Sequence, residues 1–175
     1  GGPVEAWVDS SSARIQLQLT CQPKLNWKMI VDGEPVTLHE VYVSGVPHVI
    51  FFADDISILS NHQILHLGAS ICHHPNFPKG TNVNFIQVKN PHILIQRTYE
   101  RGVEGETMAC GTGAVASCVI AALLRMAEPP VQVQTLGGVL SVSFCHENGQ
   151  FAGLVLGGGA RFVAEGFLHP EGCSW

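Results

Sequence analysis

Charge is scarce in this chain. Asp, Glu, Lys and Arg make up only 13% of its 175 residues. Nine basic against fourteen acidic residues give a net charge of −5, with no basic run. That excludes an electrostatically driven nucleic-acid or anionic-membrane surface. No apolar stretch is long and clean enough to span a bilayer. The first ten residues have neither a basic start nor an apolar core, so no secretory signal is expected there and the cytoplasm is the expected location. The six cysteines, at 21, 72, 110, 118, 145 and 173, contain no Cys-x-x-Cys pair. In such a chain they read as reduced thiols, most of them small buried hydrophobes. What the chain has in quantity is apolar surface: 46% hydrophobic residues and a mean hydropathy of +0.22. This is a core-rich folded chain, not a disordered one. Its 19 glycines and 10 prolines predict frequent turns. Its length suits one domain, or one and a fragment of another.

The first two-thirds read mostly as strands. Residues 13–20 alternate strictly, with Ile15, Leu17 and Leu19 on one face and Arg14, Gln16 and Gln18 on the other, which predicts a half-buried antiparallel strand. Residues 4–8 are β-like. Asp32-Gly33 is a hairpin signal, and strands are expected at 36–43, 48–53, 83–88 and 93–99. Asp54-Asp55 can cap a short helix over 56–68, with Ile58, Leu59, Leu65 and Leu67 available for burial. Residues 112–127 differ from all of these. They contain no charge until Arg125, and a helix apolar on every side must be enclosed by other structure. Strands resume at 131–136, 139–144, 151–156 and 161–167, with Gly137-Gly138 and Asn148-Gly149 as turns. About nine strands and one buried helix give an α+β fold: a curled mixed or antiparallel sheet, a half-barrel, wrapped around a central helix.

The chemistry concentrates at the mouth of that helix. Cys110 precedes it, followed by Gly111-Thr112-Gly113. A thiol there meets unpaired N–H groups and the positive end of the helix dipole, which favour thiolate. The same N–H groups can hold a carboxylate, and the glycines let a ligand approach the backbone. The plain alternative is a buried helix-start residue beside a tight turn. Gly111-x-Gly113-x-x-Ala116 also fits a dinucleotide fingerprint, but Met108-Ala109-Cys110 does not end a hydrophobic strand and no acidic residue follows on a second parallel strand. His62-x-x-x-His66, with Cys72, His73 and His74, has zinc-ligand spacing. It lacks the carboxylate or third ligand of a functional site, so no metal is expected.

Glu100-Arg101-Gly102-Val103 and Gly105-Glu106-Thr107-Met108-Ala109-Cys110-Gly111-Thr112-Gly113-Ala114 closely resemble the second active-site motif of the diaminopimelate epimerase family. Pro75-Asn76-Phe77-Pro78-Lys79-Gly80-Thr81-Asn82-Val83 resembles that family's His-Pro-x-Phe-Pro-x-Gly-Thr-Asn-Val segment. Gly45-Val46-Pro47-His48 falls where it has Gly-Asn-Pro-His. Gly158-Gly159-Ala160 and Glu165-Gly166 resemble its final strands. The resemblance covers nearly the whole chain.

The resemblance implies a cofactor-free isomerase that inverts the α-carbon of LL-diaminopimelate to the meso isomer, for lysine and peptidoglycan synthesis, with one cysteine on each face of the substrate. Carried over residue by residue, Cys110 is one acid/base thiol, and Glu100 and His48 assist the cysteines' proton handling. Gly111 and Thr112 contact the substrate, and Asn82 and Arg101 bind its distal end. Val46 stands where the family has a substrate-contacting Asn, and Glu104 lengthens the loop by one residue over the shortest family form. A Cys-Gly-Asn-Gly-x-Arg motif with the other thiol is absent. The expectation is therefore the C-terminal half of a two-lobed enzyme: 1–12 the end of a crossover, 13–156 the lobe with central helix 112–127, and 157–175 a final strand and tail packing back toward the other lobe. Expected partners are the small-molecule substrate and the N-terminal lobe with the second cysteine, with a homodimer also open; nucleic acid and membrane are not expected. Two other readings stay open: a cofactor-independent racemase of another amino acid such as glutamate, and a non-catalytic domain binding a carboxylate or a partner chain.

Overall fold

The computed structural model describes residues 4–147, 149–167 and 169. Residues 1–3 of the expected crossover, Asn148 of the expected turn, and Cys173 with the rest of 170–175 lie outside the described residues. The strands are β1 (Ala6–Val8), β2 (Ser12–Leu17), β3 (Lys24–Val31), β4 (Glu34–Val43), β5 (Val46–Phe52), β6 (Asn82–Asn90), β7 (Ile93–Glu100), β8 (Gly105–Thr107), β9 (Val131–Thr135), β10 (Gly138–Glu147) and β11 (Gln150–Gly159). The helices are α1 (Asn61–Cys72) and α2 (Gly111–Leu123).

All eleven strands join one mixed sheet in the order β1-β2-β11-β10-β9-β7-β6-β5-β4-β3, with β8 paired to β7 off that path. Two neighbouring pairs are parallel, β5 with β6 and β7 with β9. Parallel neighbours need a crossover, and here each crossover carries a helix: α1 between β5 and β6, α2 between β7 and β9. The sheet curls until Leu19, beyond β2, bridges Val43 at the end of β4. Thr20 N–H donates to the Tyr42 carbonyl at 3.1 Å and Ser44 N–H to the Gln18 carbonyl at 2.8 Å.

α2 runs inside this curl. Every residue from Gly113 to Ala122 is buried, packed with Val41, Ile50, Ile86, Leu94, Val131, Val142 and Leu156 from seven strands. The enclosed helix expected from the uncharged run is therefore present. It spans Gly111–Leu123 rather than 112–127, because Arg125 turns left-handed at φ 58°, and its N–H reaches the Ala122 carbonyl while the Met126 N–H reaches that of Ala121, the bond pair that closes a helix C-terminus. α1 packs on the opposite face, where Ile64 and Ile71 join Met29, Leu38, Val49, Val83, Phe85 and Tyr99.

Three expectations are corrected. The helix placed at 56–68 is two elements: Asp55 caps a single 3-10 turn at Ile56–Ile58, and α1 starts afresh behind Ser60. Ser60 Oγ accepts from Gln63 N–H at 3.2 Å while Gln63 Oε1 accepts from Ser60 N–H at 2.9 Å, a reciprocal cap that fixes the start there. Ile58 and Leu65 are consequently exposed, Leu59 and Leu67 half-buried, and Ile64, Gly68, Ile71 and Cys72 take the buried face. Second, Lys24–Val31 is a strand where none was expected. A bulge between Lys24 and Trp27, with Asn26 at φ 53°, breaks the alternation in its first half. Third, residues 161–167 form no strand, and Phe162, Val163 and Phe167 are exposed. Among the described residues no helix is long and apolar enough to cross a membrane.

Candidate active site

Four elements converge on the N-terminal end of α2. Cys110 is the N-cap, with extended backbone at φ −127° and ψ 107°, and no side chain caps the helix. His48 comes from β5, Asn82 and Asn84 from β6, and Gln96, Thr98 and Glu100 from β7. Parallel pairing sets His48 beside Asn82 and Ile50 beside Asn84, so the polar residues of neighbouring strands face the helix mouth together.

His48 is fully buried. Its Nε2 lies 3.0 Å from Thr112 Oγ1 and its Nδ1 3.2 Å from Asn84 Nδ2. The surroundings fix the proton positions. Asn84 Nδ2 donates to the Val49 carbonyl at 3.1 Å, and Asn84 Oδ1 accepts from the Thr98 hydroxyl at 3.0 Å. A carbonyl only accepts, so the amide cannot be reversed. The same NH₂ group faces His48 Nδ1, which must then accept, leaving the proton of the neutral ring on Nε2. Nε2–H donates to Thr112, and the Thr112 hydroxyl is left to donate to Cys110 Sγ, 3.8 Å away. Burial, aided by the Arg101 charge, pushes His48 down to about 3, so the ring is neutral at ordinary pH.

Behind this run, Gln96 Nε2 donates to Thr98 Oγ1 at 3.1 Å and to the Cys110 carbonyl at 3.4 Å, and Gln96 Oε1 accepts from Ser117 on α2 at 3.0 Å. The helix start is thus pinned by polar bonds as well as packed. Gly113 is required here: a Cβ would overlap Asn84 Oδ1 and come within 3.1 Å of Cys110 Sγ.

Cys110 departs from expectation. It is 5% exposed, and burial pushes its thiol above the ordinary value, with the Glu100 charge acting the same way. The Gly113 N–H and the Thr112 hydroxyl favour thiolate but are outweighed. The helix-start argument has the right sign, but desolvation of the charged form is the larger effect.

The other expected site residues lie close by. Asn82 Oδ1 accepts from Arg101 N–H at 2.9 Å. The Arg101 guanidinium donates to the carbonyls of Lys79 and Gly80 at 3.1 and 3.4 Å. Gly111 opens α2 against Leu156, where a Cβ would sit 2.7 Å from Cδ2. Sequence reasoning gave no role to Asn84, Gln96, Thr98 or Ser117. Ser117 was the one readable signal, a hydroxyl inside an otherwise apolar helix.

A sequence model of the diaminopimelate epimerase family matches residues 41–163. The chain is 38% identical to the diaminopimelate epimerase of Aquifex aeolicus, covering 97% of this chain and 60% of that protein. It is 42% identical to that of Archaeoglobus fulgidus, over 72% of this chain and 41% of that protein. The chain thus spans 60% or less of the length of these relatives. Among solved structures, a probable proline racemase from Agrobacterium radiobacter K84 superposes with a TM-score of 0.59 at 14% identity, over 91% of this chain and 54% of that one. A hydroxyproline epimerase from Agrobacterium vitis gives 0.60 at 14% identity, over 87% and 51%. At that identity these two show a shared fold alone.

Proposed function

The chain belongs to the diaminopimelate epimerase family, and on that premise we propose that it supplies one of the two acid/base thiols of a cofactor-free isomerase inverting LL-diaminopimelate to meso-diaminopimelate. The observation that carries this reading is Cys110 at the uncapped start of an enclosed helix, reached by the Thr112 hydroxyl and, through it, by His48.

The reaction must remove a weakly acidic α-proton and return one to the opposite face. Burial keeps the proton on Cys110, which suits it to donate in the direction where a second thiolate abstracts. Two like groups held at different proton affinities is how acid and base roles are divided. Charge developing toward the α-carboxylate is met by the Gly111 and Thr112 N–H groups, donors fixed before reaction, while the Thr112 hydroxyl serves Cys110 Sγ. Arg101 and Asn82 are assigned to the distal carboxylate and amine, Arg101 through its planar donor fork. Glu100 and His48 assist as charge and hydrogen-bond partners of the thiols. The second thiol belongs to a lobe outside this chain.

The test is α-proton exchange from LL- and meso-diaminopimelate in deuterium oxide. With the complete gene product, Cys110→Ala should lower inversion by at least about 10²-fold, as for loss of a general acid/base. Near-normal turnover would sink the assignment. The 175-residue chain alone should give no inversion; full inversion by it would place a second base within these residues. Parallel assays on glutamate and proline separate the reading from a racemase of another amino acid, which Val46 in place of the family Asn keeps relevant.

A further inference from the structure

Among the described residues, one group of three metal-ligating side chains of different chemistry converges, and it lies outside the machinery above: Cys72, His73 and Glu104, whose donor atoms all fall within 4.8 Å of one another. Cys72 ends α1, His73 is its C-cap, and Glu104 sits in the turn between β7 and β8, held at φ 58°. From the sequence, Cys72 and His73 lacked a carboxylate; the fold brings one from 31 positions beyond His73. The 62/66 histidines are not part of this group: His66 Nε2 pairs with Asp32 at 2.9 Å. His74 is engaged too, its Nδ1 accepting from Asn76 N–H.

We propose that Cys72, His73 and Glu104 form a binding site for a zinc-class divalent cation, with Cys72 Sγ, an imidazole nitrogen of His73, a carboxylate oxygen of Glu104 and one water as ligands. A thiolate, an imidazole and a carboxylate select a borderline-soft cation over magnesium or calcium. Three protein ligands with one open position is a regular zinc arrangement. The charges balance: one thiolate and one carboxylate neutralise a dication, with the Cys72 proton released to solvent.

The geometry is close to closing. Tetrahedral zinc would hold these donor atoms about 3.3–3.7 Å apart. His73 Nε2 and Glu104 Oε2 are already 2.6 Å apart with a proton between them, and a cation would replace that proton. Both side chains are about half exposed, so they can move apart without disturbing the core. The outer partners are also in place. Gly102 N–H donates to Glu104 Oε1 at 2.9 Å and the Tyr99 hydroxyl to Glu104 Oε2 at 3.1 Å. Such contacts orient ligands. The neighbouring cation is Arg101, its guanidinium held on the carbonyls of Lys79 and Gly80. Occupancy would tie the end of α1 to the turn that carries Arg101.

The test is a titration of this chain with Co²⁺, the spectroscopic substitute for zinc, in a phosphine reductant. We expect one equivalent to bind with a sulfur-to-cobalt charge-transfer band, displaced by Zn²⁺. Cys72→Ser should remove the band, and Glu104→Gln, an exposed change that leaves the core intact, should weaken binding by about tenfold or more. Cys110→Ala should retain both band and affinity. Far-ultraviolet circular dichroism of each variant confirms the fold. No band at excess Co²⁺, a band surviving Cys72→Ser, unchanged affinity in Glu104→Gln, or loss of the band in Cys110→Ala would each overturn the site. None of these readouts depends on epimerisation.

Discussion

The two helices occupy matching places in the topology, each crossing between neighbouring parallel strands, yet they solve opposite problems. α1 covers the outer face of the sheet, burying Ile64, Gly68, Ile71 and Cys72 while leaving Leu65 exposed. It is closed at its start by a reciprocal Ser60–Gln63 cap. α2 lies within the curl, buried from Gly113 to Ala122, and begins at a cysteine with no side-chain cap. The outer helix spends its N-terminal donors on its own chain. The inner helix keeps them for something else, and the buried polar residues gather around that end.

Charging one face of each helix is the most severe way to break this comparison. Ile120 is fully enclosed, and Ile120→Lys strands an unpaired charge. We expect a loss of about 3–5 kcal/mol, enough to abolish cooperative unfolding in a marginally stable domain. Leu65→Lys on α1 should stay within about 0.5 kcal/mol. Urea titrations of both variants decide it; equal effects would mean that α2 is not enclosed.

The second effect is acid sensitivity at the mouth of α2. Folded His48 sits at about 3, whereas an unfolded histidine titrates near 6.5. Between those values the unfolded state binds the extra proton, so stability falls as pH falls below about 6.5 and the loss is complete near 3. The slope is about 1.4 kcal/mol per pH unit, or about 2 kcal/mol by pH 5. The readout is the difference in unfolding free energy at pH 7 and pH 5 between the native chain and His48→Gln, in which this contribution is removed. Identical pH dependence in the two would refute the buried neutral imidazole.

A milder change sharpens the comparison, because in the middle of α1 and in the first turn of α2 a glycine lets the backbone approach a side chain from the sheet. A Cβ at Gly68 would overlap the Tyr99 ring, and one at Gly113 would overlap Asn84 Oδ1. Both alanine variants should lose about 1–3 kcal/mol through forced displacement. Only Gly113→Ala should also change how fast iodoacetamide alkylates Cys110, because it pushes on Asn84 and hence on His48 and Thr112. An unchanged alkylation profile would remove Asn84 from the description of the site.

Much of this contrast was legible in advance. The uncharged run after Cys110 announced an enclosed helix, and Asp32-Gly33, at φ 52° and 85°, announced its hairpin. The start of α1 was legible only in part: Asp55 is a competent cap but opens a single turn, and it is the Ser60-x-x-Gln63 capping box five residues on that opens the long helix. β3 was hidden by its bulge. The polar cluster was hidden because Asn84, Gln96 and Thr98 come from two strands and look ordinary in each, and Ser117, the one hydroxyl deep in α2, does not by itself say what it meets. The protonation of Cys110 was misread for a related reason: spacing shows a helix end, but not how much carbon surrounds it.

The smallest expected effect concerns the two caps. Ser60→Ala removes the side-chain acceptor for Gln63 N–H and should cost about 1 kcal/mol, the usual loss when a cap hydroxyl is deleted. Cys110→Ala removes no cap bond, so its stability should fall by less than that, apart from the small sulfur volume lost. The pair therefore dissociates stability from chemistry. Ser60→Ala in the complete gene product should unfold at lower urea with full turnover, while Cys110→Ala should be nearly as stable as the native chain and unable to invert the substrate. If Cys110→Ala were instead the less stable of the two, the thiol would be a structural plug at the helix start, and its place at an uncapped N-terminus would be a matter of packing.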